Sequence, residues 1–516
     1  MKSTFRPLGL ILAAAVLAAC AKNPVTGREE LRFFSEQDEI RLGTENYGPA
    51  QQDSGGRYLL DAELEAYVRQ VGMRIAKASD RPQLPYEFVV VNESVPNAWA
   101  MPGGKISVNR GLLLELKSEA ELAAVLGHEV VHAAARHGAH SMETGMLLQG
   151  GALLIGMAAA DKRYGDLVGM GAFVGAGMLA MKYGRDNELE ADRYGITYML
   201  RAGYDPGAAV GLQETFVRLS KDKKPNWLEG MFASHPPSQE RVDANRAQAA
   251  ALPHGLKTGE AEYQRRIAAI VKSRSAYAAA DEGRKALAKG DARAALAAAD
   301  KALAIEPREA LFHGLRGDAL LKLGTTDRAE LAYDEAIRRN PDYYQFHLNR
   351  GLMRYGKGDR AAAQAGFERS MALRPTDVAA YNLGLISQET GQTDKAIAYL
   401  KSAAGSGDVG RRANLLLARL EAPRNPGAYL KIDTRQDTDG RLLLLVKNAS
   451  PVRLTNVNLA TRHVEGLFNV KKSAQINVSG AIAPGETRTV PTDWNLKQMG
   501  VGLDKIEAAA TRASPE

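Results

Sequence analysis

The sequence feature that most restricts the fold is a repeat of 34 residues in the second half of the chain. Three residue types recur with this spacing, at Pro307, Pro341 and Pro375, at Gly283, Gly317 and Gly351, and at Ala295, Ala329 and Ala363. Small residues at fixed positions allow two helices to cross closely, and a proline closes each unit. The spacing therefore predicts a row of stacked helix pairs rather than one compact core.

A period of this length is typical of tetratricopeptide repeats. We expect an all-α solenoid of such repeats over residues 275–422, preceded by a linker helix at 256–274. Stacked helix pairs form a concave groove, which predicts binding of an extended peptide or of a partner protein. A purely architectural array is the alternative.

The last part of the chain has a different pattern. From 425 to 516, short alternating segments are separated by Asp-Gly, Ser-Pro and Pro-Gly turns. This pattern predicts a small all-β sandwich. An interaction or spacer module is its expected role.

The N-terminus predicts export and lipidation. Lys2 and Arg6 precede an apolar segment that ends at Cys20, the only cysteine in the chain. This is the pattern of a signal peptide over residues 1–19, too short to remain as a membrane span. It resembles a bacterial lipobox, which implies cleavage before Cys20, acylation of that residue and, with Ala21 next, anchoring on the periplasmic side of the outer membrane of a Gram-negative bacterium. A buried cysteine behind a plain secretory leader is the alternative. Residues 21–43 are predicted to be a tether that leads into a first helix.

Composition limits the class of protein. With 516 residues, 45% hydrophobic and 25% charged, the chain is long enough for several globular domains. Its net charge of +7 is spread without a dense basic run, so no nucleic-acid partner is expected. Two apolar runs, 145–160 and 167–181, are shorter than the roughly 20 residues of a spanning helix. They predict a buried helical hairpin, with a hairpin that touches lipid or flanks a substrate cleft as the alternative.

The first domain, assigned to residues 20–255, is predicted to mix strands and helices. Residues 86–94 are β-branched and apolar, and 97–111 suggest a strand pair around a Pro-Gly-Gly turn. Ser118 begins a capping-box pattern, after which an apolar-periodic helix is expected to run to Gly138.

This helix carries the motif H-E-x-x-H. His128 and His132 are four residues apart, so their imidazoles lie on one face and can bind one Zn²⁺. Glu129 is then placed to contact a water at the metal without ligating it. The alternative is a pair of satisfied histidines on a buried face.

A catalytic zinc needs a third protein ligand. Downstream, Glu188 and Asp192 are four residues apart and share a helix face, whereas Glu190 points away from them. We expect Glu188 to ligate and Asp192 to support the site, although a solvated acidic helix face is the alternative. His137 and His140 are predicted to be surface residues near the helix end rather than ligands.

Four segments between residues 22 and 250 resemble the zinc endopeptidase family that includes the CAAX prenyl protease, HtpX and Oma1. They are "NAWAMPGG", "LGHEVVHAAARH", "RDNELEADRYG" and "SHPPSQERV". With the lipobox, "NPVTG" and the repeats, the layout is most similar to periplasmic relatives such as BepA and LoiP. The sequence departs from the common Ser-Arg before the ligand helix, where Gly184-Arg185 stands.

The resemblance implies a gluzincin-like α+β zincin fold with one Zn²⁺ per chain. It implies that His128, His132 and Glu188 are the ligands, that Glu129 is the catalytic base and that Asp192 supports the site. It also implies that His235 faces the zinc, either in the fourth ligand position or as a group that stabilises the oxyanion. Arg241 is the alternative source of that positive charge.

The expected function is proteolytic quality control of misfolded or stalled envelope and outer-membrane proteins. The strand "AWAMPGG" is the expected edge to which an extended substrate adds. The repeats are expected to bind clients or the outer-membrane assembly machinery. Two alternatives stay open, a chaperone or adaptor whose zinc is capped by His235, and a processing peptidase with a narrow specificity.

Overall fold

The computed structural model describes residues 20–145, 183–221, 231–465 and 469–516. The predicted signal peptide and, apart from Gly145, the predicted apolar hairpin lie outside these ranges. The chain divides into two compact units, Met1–Met353 and Arg354–Glu516. Within the described residues, no helix is both long and apolar enough to cross a membrane.

The first unit begins with an α+β domain, as predicted. Its elements are β1 (Cys20–Lys22), β2 (Glu29–Leu31), α1 (Glu36–Asp53), α2 (Ala62–Lys77), β3 (Glu87–Val91), β4 (Ala98–Met101), β5 (Lys105–Asn109), α3 (Arg110–Leu113), α4 (Glu119–Ala134), α5 (Arg185–Arg201), α6 (Gly207–Lys221), α7 (Met231–Ser234) and α8 (Gln239–Ala250).

A three-stranded sheet of order β3-β5-β4 lies at the centre of this domain, with β3 parallel and β4 antiparallel to β5. Side chains of β3 alternate between two cores. Phe88 and Val90 pack with α2 and α4, and Val89 and Val91 pack with Tyr47 of α1. Helices therefore cover both faces of the sheet, which explains why β3 is apolar throughout.

The segment predicted to be a tether is instead a folded hairpin. β1 pairs antiparallel with β2, with Cys20 opposite Leu31. The side-chain oxygen of Asn23 accepts hydrogen bonds from the backbone N–H groups of Val25 and Thr26, which closes the turn. The polar composition of this stretch predicts a loop, but these side-chain bonds give its backbone fixed partners.

Helix α4 starts where predicted, because the Ser118 hydroxyl accepts from the backbone N–H of Glu121. It ends at Ala134, earlier than the predicted Gly138. Arg136 adopts a left-handed conformation, with φ of 63°, and its buried guanidinium pairs with Glu39 and Glu143. Helical turns resume over residues 137–145.

The predicted helical repeats follow. Helix α9 (Glu260–Lys272) precedes them, in the segment predicted to be a linker helix. The repeat helices of the first unit are α10 (Arg274–Ala288), α11 (Ala292–Ile305), α12 (Ala310–Lys322) and α13 (Thr326–Arg339), and α14 (Tyr344–Gly356) begins there. A Cβ on Gly317 would lie 2.7 Å from the Tyr333 ring, so only glycine lets these helices cross so closely. In the second unit the helices are α15 (Arg360–Leu373), α16 (Asp377–Glu389), α17 (Thr393–Ala403) and α18 (Asp408–Glu421).

The C-terminal strands form the predicted β-sandwich. They are β6 (Leu430–Gln436), β7 (Arg441–Asn448), β8 (Leu454–Glu465), β9 (Asn469–Val478), β10 (Thr487–Asn495) and β11 (Ile506–Pro515), with short helices at Pro426–Ala428, Leu496–Met499 and Leu503–Lys505. Two antiparallel sheets have the orders β10-β7-β6 and β11-β8-β9. Leu444 of β7 and Leu459 of β8 belong to one core, so the inner faces pack on each other.

Candidate metal centre

The site forms where α4 and α5 cross in backbone contact. A Cβ on Gly195 of α5 would lie 3.1 Å from the backbone nitrogen of His128, and one on Gly127 of α4 would lie 3.1 Å from the Gly195 carbonyl oxygen. With no side chain between the helices, Glu188 and Asp192 reach across to His128.

Four buried side chains bring their ligand atoms within 4.8 Å of one another, and they are His128, His132, Glu188 and His235. His128 Nε2 lies 3.0 Å from His132 Nε2 and 3.2 Å from His235 Nδ1. The Glu188 oxygens lie 3.4 Å from His128 Nε2, 3.5 Å from His132 Nε2 and 3.0 Å from His235 Nδ1. A tetrahedron around Zn²⁺ with bonds of about 2.05 Å has edges of about 3.3 Å. The donor set and its spacing therefore fit a zinc ion.

The charges of this cluster also favour a cation. Burial lowers the pKa of His128, but Glu188 and Asp192 outweigh burial and raise it to about 10. Burial holds the pKa of His132 well below its usual value. Burial would raise the pKa of Glu188, yet His235 and His128 hold it well below its usual range. The cluster thus offers an ionised carboxylate and a neutral imidazole, and a metal ion can replace the proton on His128.

Glu129 stands apart from the other buried acids of the site. It is fully buried, and neither carboxylate oxygen has a hydrogen-bond partner among the described residues. His235 Nε2 lies 3.6 Å from Glu129 Oε1. Burial raises the pKa of Glu129, so this carboxylate is a stronger base than an exposed one. An unpartnered buried carboxylate beside a metal-ligand cluster fits proton transfer.

Asp192 and Arg241 contact the candidate ligands His128 and Glu188 and position them. His128 Nδ1 lies 2.9 Å from Asp192 Oδ1, which leaves Nε2 to face the cluster. Arg241 donates to both oxygens of Asp192, at 2.6 and 2.7 Å, and pairs with Glu188 at 2.8 Å. Burial raises the pKa of Asp192, but Arg241 outweighs it and the pKa lies below its usual value. This placement of Arg241 favours a positioning role over the oxyanion role.

His137 is a site residue that the sequence did not reveal. It is buried, not on the surface as predicted, and its Nδ1 lies 2.8 Å from Nδ1 of His132. Its Nε2 lies 3.2 Å from Glu190 Oε1. If Glu190 accepts a hydrogen bond from Nε2–H of His137, then Nδ1 of His137 carries no proton and accepts a hydrogen bond from Nδ1–H of His132. The lone pair on Nε2 of His132 is then free to bind the metal. His140 is only half-buried and lies outside the cluster.

Tyr183 is a second residue that the sequence did not reveal. Its ring stacks on the His132 imidazole, with 3.9 Å between centroids and an angle of 18° between the planes. The ring centroid of His235 lies 5.8 Å away. Tyr183 immediately precedes the Gly184-Arg185 pair, but an isolated tyrosine gives no signal that it will contact a ligand.

Two crossing helices bring histidines and a glutamate together beside a buried carboxylate that has no hydrogen-bond partner among the described residues. This arrangement is that of a zinc metallopeptidase domain. Residues 62–249 match peptidase family M48, and this part of the chain is a peptidase family M48 domain. Residues 280–344, 315–378 and 379–405 match tetratricopeptide repeats. The predicted family resemblance and the predicted repeats are confirmed.

Three relatives illustrate the likeness. The chain is 32% identical to the mitochondrial metalloendopeptidase OMA1 of Schizosaccharomyces pombe over 42% of this chain and 63% of that protein. It is 29% identical to the beta-barrel assembly-enhancing protease of Escherichia coli over 42% of each chain. It is 28% identical to the metalloprotease YcaL of Escherichia coli over 47% of this chain and 96% of that protein. The chain thus spans between 42% and 63% of the length of the first two relatives.

Proposed function

We propose that the protein is a zinc endopeptidase, lipid-anchored at Cys20 on the periplasmic side of the outer membrane of a Gram-negative bacterium. The observation that carries the endopeptidase proposal is the buried cluster of His128, His132 and Glu188 beside the unpartnered Glu129. The lipobox pattern supports the anchor, and a relative named for beta-barrel assembly supports misfolded or stalled outer-membrane proteins as substrates.

His128, His132 and Glu188 would hold the zinc ion, with Asp192, Arg241 and His137 positioning them. When bound, zinc acts as a Lewis acid toward a water molecule and toward the scissile carbonyl. Glu129 takes the proton of the attacking water and returns it to the leaving amine. Its burial, and the absence of a hydrogen-bond partner among the described residues, keep the carboxylate available for both transfers.

Substrate would bind in extended form along β4. This strand is at the edge of its sheet and packs against α4. Main-chain hydrogen bonds to an edge strand make few demands on sequence, which suits a quality-control protease. The repeats would bind clients or the outer-membrane assembly machinery.

The position of His235 favours a second candidate, a chaperone or adaptor with a capped zinc site. Its Nδ1 lies 3.2 Å from His128 Nε2 and 3.0 Å from Glu188, within the ligand set. In this state His235 occupies the fourth ligand position, and the repeats carry the function. A processing peptidase of narrow specificity would use the same residues but would leave casein intact.

The deciding experiment uses the full-length protein purified in detergent. We expect one zinc per chain, cleavage of casein that a chelator abolishes, and cleavage by the Glu129→Gln variant that is at least about 10²-fold slower. If the variant supports the cellular role as well as the unaltered protein does, the adaptor is correct. If the chain purifies without stoichiometric metal, the endopeptidase proposal is wrong.

A further inference from the structure

The route from the proposed lipid anchor to the metal centre is short and ordered. Cys20 is already paired with Leu31 in the β1–β2 hairpin, so no free tether follows it. Three residues later, Asn23 is buried, and its Nδ2 donates to the carbonyl oxygen of Ala135 at 2.8 Å. Ala135 caps the C-terminal end of α4, the helix that carries both histidine ligands.

A second contact fixes the other side of this hairpin. The backbone N–H groups of Phe33 and Phe34 both donate to Oε1 of Glu143 at 2.8 Å. Glu143 is buried and also pairs with Arg136, just beyond α4. The hairpin is therefore hydrogen-bonded to the chain on both sides of the break that follows the zinc helix.

These contacts limit the distance between the anchor and the metal ligands. Three extended residues span at most about 11 Å, and three helical residues rise about 4.5 Å. With the 2.8 Å hydrogen bond and two side chains included, the Cys20 backbone lies at most about 30 Å from His132 Nε2. A compact domain of about 230 residues measures about 45 Å across, so the limit excludes the far side of the α+β domain.

We infer that the Asn23 hairpin keeps the metal centre within about 30 Å of the bilayer surface, so that the substrates are unfolded segments close to the membrane. The inference rests on the proposed function, because it requires an acylated Cys20 and an endopeptidase site. Chains that emerge from the membrane, such as incompletely inserted outer-membrane proteins, meet this condition, whereas proteins in the bulk periplasm do not.

The test compares the full-length lipidated protein with a variant that has 20 Gly/Ser residues inserted after Ala21. Such an insert adds about 25 Å of mean reach. A matched control has the same insert between Ser406 and Gly407, in an exposed loop. Each protein also carries Asp186→Cys, an exposed position on α5 two residues from Glu188. Cys20 is the only natural cysteine, and acylation blocks its thiol, so a thiol-reactive fluorophore labels position 186 alone in the lipidated protein.

The proteins are reconstituted into liposomes that contain a head-group-labelled quencher lipid. We expect strong quenching in the unaltered and control proteins, and at least about a two-fold loss of quenching with the insert after Ala21. In parallel, a lipid-tethered unfolded reporter carries one cleavable stretch next to the bilayer or far from it. The unaltered protein should cut the near stretch about tenfold faster than the far one, and the Ala21 insert should remove this preference.

Each alternative outcome has a different meaning. Equal quenching in all three proteins, with flotation and casein cleavage intact, overturns the inference and leaves the proposed function standing. Failure to float with liposomes overturns the lipid anchor and the inference with it. Normal quenching and flotation without casein cleavage refutes the endopeptidase and hence the substrate class, while the position of the site at the membrane is supported.

Discussion

Helix α4 carries two buried glutamates, Glu119 and Glu129, whose surroundings are opposite in kind. In its first turn, Glu119 accepts hydrogen bonds from Tyr204 and Lys257 at 2.6 Å and from Tyr67 at 3.2 Å, and it pairs with Arg74. Ten residues later, Glu129 has no hydrogen-bond partner among the described residues. Both side chains are buried, at 3% and 0% exposure. Hydrogen bonds and charges offset the cost of burying Glu119, whereas no hydrogen bond from the described residues offsets it at Glu129, the carboxylate proposed as the base.

The comparison is tested most strongly by Glu129→Gln. We expect casein cleavage to fall by about 10²–10⁴-fold, because the amide cannot take a proton from water. The free energy of unfolding should stay equal or rise, since the variant removes a buried carboxylate that accepts no hydrogen bond from the described residues. Activity assays and chemical denaturation measure the two effects. A variant that unfolds more easily by several kcal/mol would show that Glu129 has a structural role.

The same substitution at Glu119 should have the opposite effect on stability. Glu119→Gln should lower the free energy of unfolding by about 2–4 kcal/mol, because it leaves the buried hydroxyls of Tyr67 and Tyr204, and the half-exposed cations beside them, without a charged acceptor. The folded fraction should retain its activity. Chemical denaturation and cleavage rates at low denaturant check both statements. Equal stability of Glu119→Gln and the unaltered protein would remove the contrast between the two residues.

A third variant tests whether a positioning residue affects zinc affinity and not only the stability of the fold. His137→Ala should weaken zinc binding by about 10–100-fold, because His132 loses the partner that orients its ring. Competition with a chelator measures the affinity. His140→Ala is the matched control, because it lies in the same helical segment outside the cluster, and its zinc affinity should not change. Equal losses in the two variants would point to local unfolding instead.

The smallest expected effect is the pH dependence of the Glu119 contribution. Burial raises the pKa of Glu119, but Lys257 and Tyr204 more than offset it, so the pKa lies below its usual value. Because the folded pKa is the lower one, the stabilisation is present above the usual glutamate range and is lost as the pH falls through the folded pKa. The stability difference between the unaltered protein and Glu119→Gln should therefore shrink below about pH 4. Denaturation series at neutral and acid pH measure it.

Much of the fold and of the site follows from local sequence rules. The Ser118 cap, the H-E-x-x-H spacing and the 34-residue period each depend on residues close in sequence, and the structure has the cap, the paired imidazoles and the helix pairs. The i, i+4 rule also selected Glu188 and Asp192 from three acids, and both face His128. Their catalytic roles remain predictions.

The features that sequence did not reveal depend on distant contacts. His137 is five residues after His132 and would leave the ligand face of a continuous helix. It reaches His132 because the chain turns at Arg136, whose left-handed backbone is compensated by Glu39 and Glu143. The Asn23 hairpin likewise depends on a carbonyl 112 residues away. Neither partner is recognisable from the local pattern.

The contact between Gly127 and Gly195 has a consequence for how this centre can vary. At these two glycines the ligand-bearing helices touch through main chain, and an added Cβ would lie 3.1 Å from the facing backbone, which is closer than most side chains allow. A single methyl group at Gly195 would move the carboxylates away from the imidazoles by a few tenths of an ångström. The spacing between the carboxylates of α5 and the imidazoles of α4 thus depends on Gly195, a residue that has no side chain of its own.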